Sequence, residues 1–330
     1  MAYSQKKEEN KTIKSSAARP KTASRDTAKP RARRERAEKG MNRRIPDSRH
    51  PTALFLLAGT ALLWSFGGVL IKWVPWHPLA IAGVRSTIAL PLLLWAFRGS
   101  RLSGSVWEIA GAIAYSAVVI LFVSATKKTT AANAIMLQSI APALVAVFSG
   151  AVLGEPVRRV DWAVLFLVGA GMALFFFDKL NAGGTAGNVM AVGSGVAFAT
   201  MILCLRKQKH GTPLASVILG NAITALVAVP FLFGPIPGRN GWIGLLLLGF
   251  FQIGLSYILY TEAIRHVTAL EASLVPMLEP VLNPVWVFVF LGEKPGRFAV
   301  FGGILVIGSV VARSLWSLPK KARRQKGRPA

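Results

Sequence analysis

Between Thr52 and residue 316 the chain is a succession of apolar runs, each about 18–24 residues long, with short polar breaks between them. An α-helix rises about 1.5 Å per residue, so about 20 residues cross the hydrocarbon core of a bilayer. Backbone in lipid must satisfy its own hydrogen bonds, which runs of this length do as helices. The limits read as 52–73, 78–97, 106–126, 129–152, 160–177, 187–205, 214–233, 241–263, 268–291 and 297–316. Turn or charge signals mark the breaks, among them Pro75 to Pro78, Arg98 to Arg101, Glu155 to Arg159 and Arg206 to Pro213. The fold class expected is an all-α integral membrane protein with about ten transmembrane helices.

Charge placement agrees with that expectation. Hydrophobic residues make up 53% of the 330 and charged residues 16%, against about 25% charged in an ordinary soluble protein. Of the 39 Lys and Arg, 16 lie in residues 1–50 and six in 317–330, so the formal charge of +25 belongs largely to two tails. So basic a chain first suggests nucleic acid. Here the basic residues flank apolar spans as cytoplasmic loops do, and no nucleic-acid partner is expected. Residues 1–50 lack the apolar side chains to fold alone and read as a disordered cytoplasmic tail, as do 318–330. Met41, followed by Asn42-Arg43-Arg44, is a second place for translation to begin. The first apolar run is too long for a cleaved leader. Cys204 is the only cysteine, which excludes a disulfide framework.

The chain also repeats itself. Pro142 aligns with Pro280 at an offset of 138, and Ala125, Thr130, Ala131, Ala134 and Gly154-Glu155 align with Ala263, Thr268, Ala269, Ala272 and Gly292-Glu293 at the same offset. Trp64 and Lys72 match Phe198 and Arg206 at an offset of 134. The repeats span 51–178 and 185–317, five apolar runs each. An odd number of crossings forces the second copy through the membrane in the opposite sense, so two inverted five-helix repeats are expected. An even total puts both tails on one side, the cytoplasmic one by their charge.

A Pro in the fourth span of each half, with Gly-Glu after it, resembles the EamA group of the drug/metabolite transporter superfamily. The second half carries the closer match, in Ala272-Ser273-Leu274, Leu278-Glu279-Pro280 and Leu291-Gly292-Glu293. The resemblance implies a cell-membrane (inner-membrane) carrier of amino acids, other metabolites or drugs. It also implies a substrate site between the repeats, lined by spans 1–4 and 6–9, with spans 5 and 10 peripheral. The function expected is secondary transport, export above all, of small metabolites such as amino acids, by alternating access with protons as a coupling partner. A multidrug or small hydrophobic solute exporter is the alternative. From other classes, a channel or lipid scramblase and a membrane-anchored interaction protein stay open.

Candidate site residues are the polar groups inside apolar spans. Glu279 lies mid-span, where a carboxylate costs about 2.5–3.5 kcal/mol, so it should face a cavity or a partner. It reads either as a carrier of protons or cations or as a structural acid. Arg85, near the middle of the second span, reads as a partner for Glu279 or as the receptor of a substrate carboxylate. Asn283 shares a face with Glu279, and Gln138 and Asn133 lie in the fourth span. Trp64 and Trp286 offer stacking surfaces, and Tyr115 and Tyr260 offer hydroxyls; core packing or an interfacial belt is the plainer reading of these aromatics. Pro142, Pro276, Pro280 and Pro284 are read as helix-distorting. Gly67-Gly68, Gly169-Ala170-Gly171, Gly193-Ser194-Gly195 and Gly302-Gly303 are read as helix-packing positions. No GxSxG, HExxH or GxxxxGKS/T motif occurs and the four His lack ligand spacing. The expectation is therefore a non-enzyme with no cofactor or metal, driven by a gradient rather than by its own ATPase.

Overall fold

The computed structural model describes residues 49–176, 184–234, 236–282, 286 and 297–317. Asn283, Pro284 and Gly292-Glu293 lie outside the described residues. All regular structure among the described residues is helical.

The helices follow the apolar runs. Helix α1 (His50–Trp64) and α2 (Gly67–Trp73) make one rod, broken at Ser65-Phe66. Next come α3 (Pro78–Ala96) and α4 (Val106–Lys128). The following run is split into α5 (Ala131–Gln138) and α6 (Ala141–Leu153) just ahead of Pro142. A proline ring removes one backbone donor and crowds the preceding turn, so the break falls there. Then come α7 (Arg159–Phe176), α8 (Thr185–Lys207) and α9 (Pro213–Ala228). Helix α10 (Arg239–Leu247) passes through a wider π turn, Leu248–Leu255, into α11 (Ser256–Ala263). Helix α12 (Ala269–Leu274) tightens into a 3-10 turn at Val275–Met277, where Pro276 sits, and is helical again over 278–282. Helix α13 is Arg297–Ser317.

Eight stretches among the described residues are long and apolar enough to cross a membrane. Large apolar side chains also face outward, with Phe55, Phe166 and Phe301 all more than half exposed. Water does not tolerate an apolar surface of this extent, and lipid does. The protein is a multi-pass, all-α membrane protein.

Local structure repeats with the sequence. Thr130 and Thr268 each cap a helix N-terminus, accepting from Asn133 N and Glu271 N three residues on. Gly154 closes α6 in the left-handed region (φ 68°). Its N–H bonds Gly150 O at 3.1 Å and the Glu155 N–H bonds Ser149 O at 3.2 Å. Glycine adopts this conformation without strain, and the motif turns Glu155 back across the helix end.

Small residues let the helices approach. A β-carbon on Gly220 of α9 would stand 2.8 Å from Ala112 O of α4, and one on Gly171 of α7 would stand 3.0 Å from Gly302 O of α13. Gly169, in contrast, meets nothing within 4 Å among the described residues. Helix α4 packs on α8 and α9, α3 on α9 and the π turn, α1 on α11, and α7 on α13.

Candidate functional site

A cavity lies among these helices, with about 440 Å³ not filled by atoms when its open mouth is counted. Its polar lining is Arg85, Gln138, Gln252 and Glu279; its aromatic lining is Trp64, Phe122, Phe198 and Tyr257. Val118, Val119 and Ile253 complete the wall.

The break after Trp64 and the π turn both serve this cavity. Trp64 ends α1 and points its Nε1 at Ser256 Oγ, 2.8 Å away. Its ring meets Phe198 edge-on at 5.7 Å and Tyr257 at 5.2 Å. Trp64 and Phe198 are equivalent in the two repeats, and they meet across the site. Gln252 lies on the π turn, a feature that often marks functional positions. Its Oε1 accepts from Arg85 Nη1 at 3.1 Å. A β-carbon on Gly67 would stand 2.9 Å from Gln252 Nε2, so the glycine at the head of α2 makes room for the amide.

Arg85 is only 2% exposed, and its Nε has no hydrogen-bond partner. Glu279 lines the same cavity, but no ion pair joins the two. The ion-pair reading of Arg85 with Glu279 is therefore not what the structure holds. Gln138 donates to Ser194 Oγ at 2.8 Å, which ties α5 to α8 at the rim.

Other candidates stand behind the wall. Tyr115 contacts Tyr257 edge-on at 4.8 Å and accepts from Asn221 Nδ2 at 2.9 Å, and so links the wall to α9. Tyr260 donates to Ala272 O at 3.1 Å and lies 5.4 Å from Trp64. Asn133 is buried with Thr129 and Asn188, each at 3.2 Å, away from the lining. Trp286 stacks on Phe66 at 4.8 Å and donates to Ser65 Oγ at 2.8 Å, so a protein ring covers one of its faces. Pro142 and Pro276 are buried at the helix breaks, whereas Pro280, expected to distort its helix, is buried within 278–282, which stays helical. Gln252 and Tyr257 are the side chains that a short list from the sequence underrates. A lone amide in an apolar run is the available signal, and the π turn that aims it has no obvious sequence mark.

Charged pairs close one end of the bundle. Glu155, just past α6, receives Arg206 Nε of α8 at 2.8 Å and the Ala269 N–H at the start of α12 at 2.9 Å. Arg206 Nη1 also donates to Ile264 O and Arg265 O beyond α11, at 2.8 and 2.9 Å. Nearby, Arg313 of α13 bonds Asp161 of α7 at 2.5 Å and Glu271 of α12 at 3.4 Å. Glu271 also meets His50 at the start of α1, at 3.3 Å. Glu262 pairs with Arg265 and His266 on the surface at 3.4 Å, with a half-exposed side chain. At the opposite end, Lys72 donates to Thr129 O at 2.9 Å and Lys127 to Val74 O at 2.6 Å. Helices α7 and α13 supply none of the cavity lining.

The EamA-like transporter family matches over residues 51–177 and 185–314. A protein named an uncharacterized transporter from Archaeoglobus fulgidus is 30% identical over 77% of this chain and 94% of its own. The threonine/homoserine exporter RhtA of Escherichia coli K12 is 28% identical over 81% of this chain and 80% of its own. The pseudopaline exporter CntI of Pseudomonas aeruginosa is 28% identical over 56% of this chain and 66% of its own. A solved crystal structure shares the fold with a TM-score of 0.70 at 18% identity, covering 81% of this chain and 98% of the other.

Proposed function

Because the chain belongs to the EamA-like transporter family, we propose that it is a secondary transporter that exports small metabolites such as amino acids or related solutes by alternating access. The observation that carries the reading is the composition of the cavity wall. Trp64, Arg85, Phe122 and Gln138 come from the first family match, and Phe198, Gln252, Tyr257 and Glu279 from the second. A site shared between two halves is exposed to opposite sides as the halves rock against each other.

In this reading ten spans form two five-helix repeats inserted in opposite senses into the cell (inner) membrane, with both termini cytoplasmic. The repeated N-caps at Thr130 and Thr268 support two copies of one unit. So do the equivalent cations Lys72 and Arg206, each of which donates to a backbone carbonyl past the end of a neighbouring helix. The Glu155–Arg206 and Arg313 contacts then seal the cytoplasmic end, and export requires that they part.

Glu279 is the coupling group. It takes a proton on one side and exchanges it for the cationic end of a substrate on the other. Two relatives are named exporters, which supports the outward direction. The aromatic lining favours a second reading, a small hydrophobic solute exporter, and competition by such solutes measures its share.

The test is flux in proteoliposomes containing the purified full chain. Saturable, proton-gradient-dependent efflux of an amino acid is the expected result. Non-saturable conduction indicates a channel instead, and rates indifferent to the gradient remove the coupling role of Glu279.

A further inference from the structure

The buried arginines of this protein are treated in two ways. Arg206 and Arg313 are held by carboxylates, Glu155 in one case and Asp161 with Glu271 in the other. Arg85 is the most deeply buried cation among the described residues, and it has no carboxylate partner there. It donates to the neutral amide of Gln252, and its Nε remains unpaired. Guanidinium is a donor only, so the amide must present its oxygen to Arg85. The charge is left uncompensated.

A guanidinium at this depth is costly unless an anion meets it, and its best match is a carboxylate accepting two parallel N–H bonds. Glu279 lines the same cavity without a hydrogen bond or ion pair among the described residues. The cavity therefore presents an unpaired guanidinium and an unpaired carboxyl group that do not bond each other. A ligand with opposite charges at a short fixed separation completes both. The aromatic rings of Trp64, Phe122, Phe198 and Tyr257 leave an apolar surface for the rest of it.

We propose that the cavity selects zwitterions of the α-amino-acid type, with the carboxylate on Arg85 and the ammonium toward Glu279. Gln252 is the positioning residue that sets this choice, because a neutral acceptor orients Arg85 without cancelling its charge. A glutamate there would hold the same geometry and remove the demand for a substrate carboxylate. The assignment rests on the carrier reading for its physiological meaning, but its test is a binding measurement.

Purified full chain in detergent is titrated by thermal shift with a panel of L-amino acids, their amides and their N-acetyl derivatives. Loss of one charge-assisted contact is expected to weaken binding at least about tenfold. At least one amino acid should stabilise the protein, its amide and N-acetyl forms at least about tenfold less well. Gln252→Glu should abolish binding of the amino acid and retain or strengthen binding of the amide. Gln252→Asn should keep the preference for the free carboxylate. Equal binding of acid and amide by the wild-type chain overturns the proposal, as does binding of no member of the panel. The wild-type comparison stands even if a variant fails to fold. Charge-selective binding without flux in proteoliposomes would refute the carrier reading alone. Saturable flux with indifference to the carboxylate would refute the zwitterion assignment alone.

Discussion

Glu155 explains what a Gly-Glu pair does after a helix. Gly154 takes the left-handed conformation, and the next carboxylate is thereby aimed at Arg206 and the Ala269 N–H. Replacing Gly154 with alanine keeps the contacts but forces a β-carbon into a positive φ. A loss of about 1–2 kcal/mol is expected, read as a lower unfolding temperature in detergent. Glu155→Ala leaves Arg206 largely buried without its carboxylate. It should destabilise by about 3–5 kcal/mol, and clearly more than the glycine change in the same assay. The pair stands out in the sequence because it repeats at a fixed offset. Its partners do not, since Arg206 is 51 residues away and Ala269 is 114 away.

Among the elements, broken helices build the cavity. The π turn carries Gln252, and its wider winding sets where the amide points. Deleting Phe250 should restore ordinary helical winding and turn Gln252 away from Arg85, while α10 and α11 keep their outer faces. Membrane insertion measured by expression and monodispersity should survive, and transport should fall at least about tenfold by loss of positioning. The proline breaks at Pro142 and Pro276 are legible directly, because the missing donor and the ring clash are local properties. The π turn is not, because Leu248–Leu255 contains no proline and reads as ordinary apolar helix. The turn packs closely on α3, where a β-carbon on Gly249 would stand 2.8 Å from Arg85 O.

For the whole molecule, the proposed inverted arrangement predicts that the two Gly-Glu pairs lie on opposite faces of the membrane. Cys204 is the single cysteine and is buried, so Cys204→Ala provides a background for labelling. In that background, Arg158→Cys and Lys294→Cys should react with an impermeant maleimide from opposite sides of sealed vesicles. Reaction from the same side rejects the inverted arrangement. Arg313→Ala should leave Asp161 and Glu271 buried with one fewer cation. It should lower the unfolding temperature and, by loosening the seal of the closed end, increase solute leak in proteoliposomes.

The chain alone determined the helical class, the positions of the runs, the breaks at Pro142 and Pro276, and the placing of Arg85 and Glu279 within apolar runs. All of these follow from hydropathy and local backbone chemistry, which act over a few neighbouring residues. Only the tertiary structure decided that Arg85 meets Gln252 instead of Glu279, that Asn133 and Trp286 stand outside the cavity lining, and that Phe198 faces Trp64. Those outcomes depend on which helix packs on which and how each is rotated, and a rotation of one residue, about 100°, moves a side chain from the cavity to the lipid.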